Sequence, residues 1–400
     1  MRLKLNLNYF KQLLFYSSLF FLPTQLNKYF FADYALLNGV RKDLLAVQVS
    51  FFMIIVVLFV SLYSAELFKL VKRKQFLIFV GFSIVNTLFS VNPVTTVYKW
   101  IIIYLLIFYI YAVLLFKKEK LFNQRLMLIT IVSMLVVQLF LAVFQFWYGR
   151  SFGSVFYYLG ERSLSITGSD TALVYFYNQL RLRPYATFSH PNSMAGFFLV
   201  LLVFLLYRNK TKEFPNLFLT FVAVLISVLL VLLSFSKSAI FIMFIVLFFY
   251  LIKTTDCWFC LLSRLIVLFV VSVIFILTPF LSNSIGERVV YFMDSLSIIK
   301  DHLWFGTGLG SYLKSLSYLF PQRPIAYLQP VHNIFLLFLS ETGIFGLAVV
   351  FLEFWLSKSA ILRFVRKNLV FVLILVFLGF LDHYFLNLNQ NFFSLVFIFL

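Results

Sequence analysis

The 400-residue chain is 63% hydrophobic and 21% aromatic, with only 12% charged residues and a mean hydropathy of +1.00. A soluble domain carries about 25% charged residues, so this chain cannot cover its surface with polar groups and its solvent is lipid. The net charge of +19 does not point to nucleic acid: the Lys and Arg stand in short clusters between apolar runs, with no aromatic-interleaved basic groove and no zinc-finger spacing.

Lys4 and Lys11 precede an apolar stretch that ends at Pro23 without a small-residue cleavage site, which predicts a retained first span over 10–26 rather than a signal peptide. Further spans are predicted over 46–64, 75–91, 97–116, 126–147, 191–207, 214–235, 238–252, 265–281, 332–356 and 369–386, with 391–400 either spanning or only re-entering the bilayer. The expected fold is all-α, a polytopic integral membrane protein with about eleven or twelve transmembrane helices. Its expected organisation is N-terminal membrane helices in 1–147, an outer loop over 148–190, central helices in 191–281, a large outer loop over 282–331 and C-terminal helices in 332–400.

Orientation follows from the basic residues. With the N-terminus inside, the inner loops carry Arg2, Lys4 and Lys11, then Lys69, Lys72, Arg73 and Lys74, then Lys117, Lys118, Lys120 and Arg125. Later inner loops carry Arg208, Lys210 and Lys212, then Lys253 and Arg264, and finally Lys358, Arg363, Arg366 and Lys367. These short loops hold most of the 33 Lys and Arg, so a cytoplasmic N-terminus is predicted.

The two outer loops are longer than connections need and rich in Tyr, Phe, Gly and Arg. Within the second, residues 284–301 predict a short amphipathic helix, with Ser284 able to cap it. Val289, Phe292, Met293, Leu296 and Ile299 would lie on the membrane surface. Cys257 and Cys260 form a lone C-x-x-C with no second pair to complete a zinc shell, and read as incidental thiols.

Polar chemistry gathers on the outer side. All four histidines (His190, His302, His332 and His383) fall there, with Glu161, Asp170, Glu287, Asp294, Asp301 and Asp382. So do Arg41, Arg150, Arg162, Arg181, Arg183, Arg288 and Arg323. A site on that face cannot draw on cytosolic ATP or nucleotide sugars. Its activated substrate must arrive energised, for which a lipid-linked pyrophosphate is the obvious form.

Three segments carry a resemblance: LRPYATFSHPNSMAGF over 182–197, ERVVYFMDSLSIIKDHLWFGTGLGSY over 287–312 and QPVHNIFLLFLSETGIFGL over 329–347. The closing LDHYFLNLNQ over 381–390 adds to it. In order and spacing they resemble the O-antigen ligase/polymerase family of bacterial membrane glycosyltransferases. The resemblance implies a GT-C-like arrangement in the inner membrane. It implies transfer of a glycan from an undecaprenyl-pyrophosphate carrier, on the extracytoplasmic face, to a sugar hydroxyl on a glycan or lipid-anchored acceptor, as in lipopolysaccharide and other cell-envelope polysaccharides. No cofactor is implied, and no metal in the ligase members. Arg183 and Arg288 match the positions of the family's essential arginines, and His332 that of its functional histidine.

The chemistry of these residue types agrees. A departing lipid pyrophosphate gathers negative charge, which the planar, permanently charged arginine fork suits. The acceptor hydroxyl needs a base, and histidine titrates near neutral pH. Arg181 and Arg162 are lesser candidates for the phosphate. His190 organises the turn into its span, with Pro191 as a helix-starting residue. Asn192 and Asn333 read equally as helix caps or as sugar ligands. Glu341, nine residues after His332, is an acid within a span, and so either catalytic or paired structurally. Many relatives carry a Ser-Arg-Gly-like motif where this chain has Ser236-Lys237-Ser238, and Lys237 keeps the charge without the fork. Residues Gly306 to Gly310 read as a turn, plain or bringing backbone amides to a sugar or phosphate. Two other classes of function stay open: a transporter or flippase of lipid-linked glycans, which needs polar residues along a membrane path, and a non-enzymatic scaffold for polysaccharide assembly.

Overall fold

A computed structural model describes residues 2–168, 171–210, 216–252, 269 and 284–400. The expected span over 265–281, Phe269 apart, and the Cys257–Cys260 pair lie outside the described residues.

The chain is mainly helical. In order come α1 (Arg2–Phe21), α2 (Phe51–Ser61), α3 (Ser64–Val71), α4 (Lys74–Leu88), α5 (Pro93–Lys118), α6 (Gln124–Tyr148), α7 (Pro191–Lys210), α8 (Leu217–Leu233) and α9 (Lys237–Ile252). After the undescribed stretch follow α10 (Ser284–Asp301), α11 (Tyr312–Leu319), α12 (Ile334–Leu356), α13 (Lys358–Lys367), α14 (Leu369–Leu381), α15 (Tyr384–Asn387) and α16 (Asn389–Phe393). Caps explain many of the starts: Ser50, Asn123, Asn216 and Asn333 each accept a first-turn amide with their side-chain oxygen. Pro93 opens α5 where a missing N–H costs nothing, and Gly149, at φ +64°, closes α6.

Three small antiparallel ladders, which the sequence reading did not anticipate, tie the loops. They pair β1 (Asn27–Phe30) with β4 (Val47–Ser50), β2 (Leu36–Leu37) with β3 (Val40–Arg41), and β5 (Leu173–Phe176) with β6 (Gln179–Leu182). The last is a hairpin whose two-residue turn places Tyr177 and Asn178 at φ 48° and 60°, the twist such turns need.

The residues divide into two compact units. The first comprises 1–15, 27–121 and 283–400, and the second 16–26 and 122–282. In the first unit, Ala35, Leu37 and Leu45 pack with Ile298, Tyr312 and Leu337 in one apolar core. Near its start, Lys11 pairs with Glu119 at 2.8 Å, and Gln12 donates to the Leu121 carbonyl. These contacts bring two of the basic clusters together.

Among the described residues, four helices are long and apolar enough to cross a membrane: α5, α6, α7 and α12. The number is six if each of two bent pairs is one span. Fewer full spans are therefore visible among the described residues than the eleven or twelve expected, for physical reasons. The 46–64 run begins as β4, and α2 turns by 86° into α3. The 15 residues of α4 rise only about 22 Å, against a hydrocarbon core of roughly 30 Å. In the 369–386 run only the 13-residue α14 is continuous, and it stands at 93° to α13 with its cluster of Lys358, Arg363, Arg366 and Lys367. The 391–400 run breaks into the end of α16 and a tight turn, with Phe393, Val396 and Phe397 buried.

The amphipathic helix forms as α10. It buries Tyr291, Asp294, Ser295 and Ile298 and exposes Val289, Phe292, Met293 and Leu296, an apolar face suited to a lipid surface.

Helix α12 is broken at Gly343, at φ 65° and ψ −172°. The segment 303–308 fills the break. Thr307 and Gly308 donate to the carbonyls of Ser340 and Glu341, while Ile344 and Phe345 donate to those of Leu303 and Trp304. A Cβ at Gly343 would stand 2.4 Å from the Trp304 carbonyl oxygen, in a backbone conformation L-residues avoid. Gly343→Ala should therefore lower stability by more than about 1 kcal/mol, seen as a lower thermal midpoint of the purified protein in micelles.

Candidate functional site

In the first unit the site is built where the head of α12 meets the end of α14. Asn333 caps α12, its Oδ1 accepting the amides of Phe335 and Leu336 at 2.9 and 3.0 Å. The cap fixes the chain at the helix start and holds the preceding His332 there. Its Nδ1 lies 3.4 Å from Oδ1 of Asp382, the residue that ends α14. His383 follows, donating its amide to the same oxygen at 2.8 Å, with its Nε2 4.0 Å away. The two imidazole rings lie 5.3 Å apart.

Burial alone would raise the Asp382 carboxyl. The hydrogen bond from His332 and the attraction of both histidines outweigh it and hold the group well below the usual carboxylate range. Burial pushes the His383 imidazole down to about 4, only partly opposed by Asp382. At neutral pH the cluster thus holds an anionic Asp382 and an uncharged His383. Because the folded pKa of His383 lies below its ordinary 6.5, the unfolded chain takes up that proton first, and stability falls as pH drops from 6.5 towards 4. The Asp382 contribution, complete above about 3.8, is lost only in stronger acid. The thermal midpoint should fall between pH 7 and pH 4.5, and His383→Gln should flatten that fall.

The cluster continues inward. The Asn387 amide lies 3.2 Å from His383 Nδ1, and Lys99 donates to the Asn387 carbonyl at 3.0 Å. Lys99 and Glu341 are both buried and interact electrostatically beside a cavity of about 10 Å³, room for roughly one water. Backbone N–H groups of Gly310 and Tyr312 face the Glu341 carboxylate. Glu341 therefore sits at the break in its span, among internal partners. The amides of Gly306, Thr307, Gly308 and Leu309 are likewise spent within the protein, on His302, Ser340, Glu341 and Asn86, so this glycine segment is a structural turn.

Arg288 stands on α10 three residues before Tyr291, on the same helix face, and the Tyr291 ring lies 5.9 Å from His332. Arg288 therefore stands one helical turn from a residue whose ring lies beside His332. Half-buried, Arg288 makes no hydrogen bond or ion pair to any described residue. Arg323 is already gripped in a bidentate pair by Asp294.

The second unit gathers the remaining candidates. Arg183 donates to the Ser234 carbonyl through Nε and Nη2, at 3.0 and 2.9 Å, and through Nη2 to Asn192 Oδ1 at 2.9 Å. Ser234 ends α8 and Lys237 begins α9, so Arg183, together with Asn192, is anchored at the break between these two helices. His190 accepts the Asn192 amide on Nδ1 at 3.1 Å, immediately before Pro191 opens α7. Arg181 lies over the Trp147 ring and donates to the Trp147 carbonyl and Gln179. Two buried residues shape this unit's loop without having been singled out. Glu161 accepts the amides of Phe152 and Gly153, and Gln145 bonds Glu161 and the backbone of Tyr185 and Ala186.

Residues 185–351 match the family model described as O-antigen ligase. Over that segment the chain is similar to the O-antigen ligases. The match supports the O-antigen ligase/polymerase family and, with the apolar helices, a multi-pass membrane protein that acts in glycan transfer during polysaccharide assembly. No curated protein matches the chain. The matched O-antigen ligase segment contains Lys237, Arg288, His332 and Glu341; Arg183 precedes it, and Asp382 and His383 follow it. The sequence reading missed the partnership of His332 with Asp382 and His383, and the link from His383 through Asn387 to Lys99. A lysine inside an apolar run and an Asp-His pair closing one were the available signals.

Proposed function

We propose that this protein transfers a glycan from an undecaprenyl-pyrophosphate carrier to a sugar hydroxyl of a glycan or lipid-anchored acceptor, on the extracytoplasmic face of the inner membrane, with its N-terminus in the cytoplasm. The observation that carries this reading is the His332–Asp382 pair, with Arg288 one helical turn from Tyr291, whose ring lies beside His332.

Asp382 accepts the Nδ1 proton of His332, which leaves the Nε2 lone pair for the acceptor. As the acceptor oxygen bonds to the anomeric carbon, its proton passes to Nε2. The bond from that carbon to the pyrophosphate oxygen breaks, and the electron pair leaves on the lipid pyrophosphate. Attack opposite the leaving group inverts the anomeric centre. Arg288 offers a bidentate grip on the charge that develops. Arg183 is assigned an anionic phosphate oxygen in the second unit, with Lys237, Asn192 and Arg181 in support.

The buried Lys99–Glu341 pair is the one observation that favours transport instead. Its cavity of about 10 Å³ admits roughly one water, far less than a lipid-linked glycan needs. Product analysis in cells lacking the protein tests the transfer reading and separates its two forms. Accumulated carrier-linked polymer marks a ligase and accumulated single repeat units mark a polymerase. Unchanged glycan products would refute both.

A further inference from the structure

The glycan-transfer reading uses no metal, yet the groups around the base form a metal donor set. One ligand atom each from His332, Asp382 and His383 lie within 4.8 Å of one another. His332 Nδ1 and His383 Nε2 stand 3.4 and 4.0 Å from the same Asp382 oxygen. Metal–ligand distances of about 2.0–2.2 Å put neighbouring donors roughly 3–3.5 Å apart, so small side-chain rotations close the set on one ion.

The chemistry of the donors agrees. Metals bind carboxylate oxygen and imidazole nitrogen, the donor atoms that Asp382, His332 and His383 supply. The Asn387 amide stands 3.2 Å from His383 Nδ1. With its oxygen turned to that nitrogen it accepts the Nδ1 proton and leaves the Nε2 lone pair for the ion. Asp382 is buried, whereas the His332 side chain is 22% exposed, which leaves an approach for the ion and a bound water. Two imidazoles and one carboxylate suit Zn2+ and similar cations; Mg2+ and Ca2+ prefer oxygen ligands.

We propose that His332, Asp382 and His383 bind one Zn2+-type ion, and that the bound ion holds glycan transfer off. An ion on His332 Nδ1 leaves the ring proton on Nε2, so no lone pair remains for the acceptor hydroxyl. The binding half stands on geometry alone; the inhibitory half rests on the base role of His332.

The test uses full-length, tag-free protein with Cys257→Ser and Cys260→Ser, so that neither thiols nor a tag compete, stripped with a chelator. Zn2+ is titrated against a chromophoric chelator, and Co2+ is followed by its visible absorption. One equivalent is expected, undisplaced by excess Mg2+, with Co2+ bands of imidazole–carboxylate coordination. Asn387→Ala should weaken binding about tenfold or more, and Asp382→Asn and His383→Gln more still. Absence of stoichiometric binding, absence of the Co2+ bands, or affinity unchanged in folded Asp382→Asn and His383→Gln would overturn the site. The Co2+ spectrum needs no variant and so survives a substitution that unfolds the protein. In a transfer assay Zn2+ should inhibit, and chelator should restore the rate. Binding with undiminished transfer overturns the inhibitory half, and with it the base role of His332.

Discussion

His332→Ala should lower the rate of glycan transfer by about 10²–10⁴-fold, the range that a positioned general base contributes. The loss should fall on turnover rather than on donor binding, because the imidazole acts on the acceptor proton. Asp382→Asn should produce a smaller loss in the same direction. An asparagine still fills the space beside His332 and accepts through its amide oxygen, but it lacks the charge that stabilises the imidazolium formed as the proton arrives. Initial rates with purified, folded variants check both. A full rate in His332→Ala would remove the base from the mechanism.

Arg288→Ala should reduce transfer by about 10²–10³-fold, the cost of removing one donor from a developing anion. Arg288 shares a face of α10 with Tyr291, whose ring lies beside His332, and meets no described carboxylate. Arg288→Lys should fall between wild type and alanine, since lysine keeps the charge and loses the planar fork. Arg323→Ala should behave differently. That arginine clamps Asp294 of α10, so its loss should lower the thermal midpoint and slow transfer only through displacement of α10. Comparing midpoint with rate for the two variants separates charge stabilisation from architecture.

How much of this was legible beforehand depended on how local the signal is. The motif around His332 lies in one stretch of chain, as does the pattern of α10, so both could be read from residue order. Asp382 and His383 stand about 50 residues further on, and only the packing of α14 against α12 brings them to His332. Lys99 near the start of an apolar run is indistinguishable from a lysine snorkelling to lipid headgroups; its partners Asn387 and Glu341 are remote in sequence. Hydropathy showed where apolar residues run but not where the backbone turns. The bends between α2 and α3 and between α13 and α14 leave no mark in apolar content, so residue order does not locate them. The break in α12 was visible as Gly343, but its cause is the 303–308 segment that inserts into it.

The most direct test is reconstitution of the purified protein in liposomes with an undecaprenyl-pyrophosphate-linked glycan and an acceptor glycan. The account predicts acceptor carrying the new glycan, with inverted anomeric linkage and stoichiometric release of lipid pyrophosphate, and loss of that product in His332→Ala and Arg288→Ala. Donor that moves across the bilayer without product forming, or product that forms equally well in both variants, would contradict it.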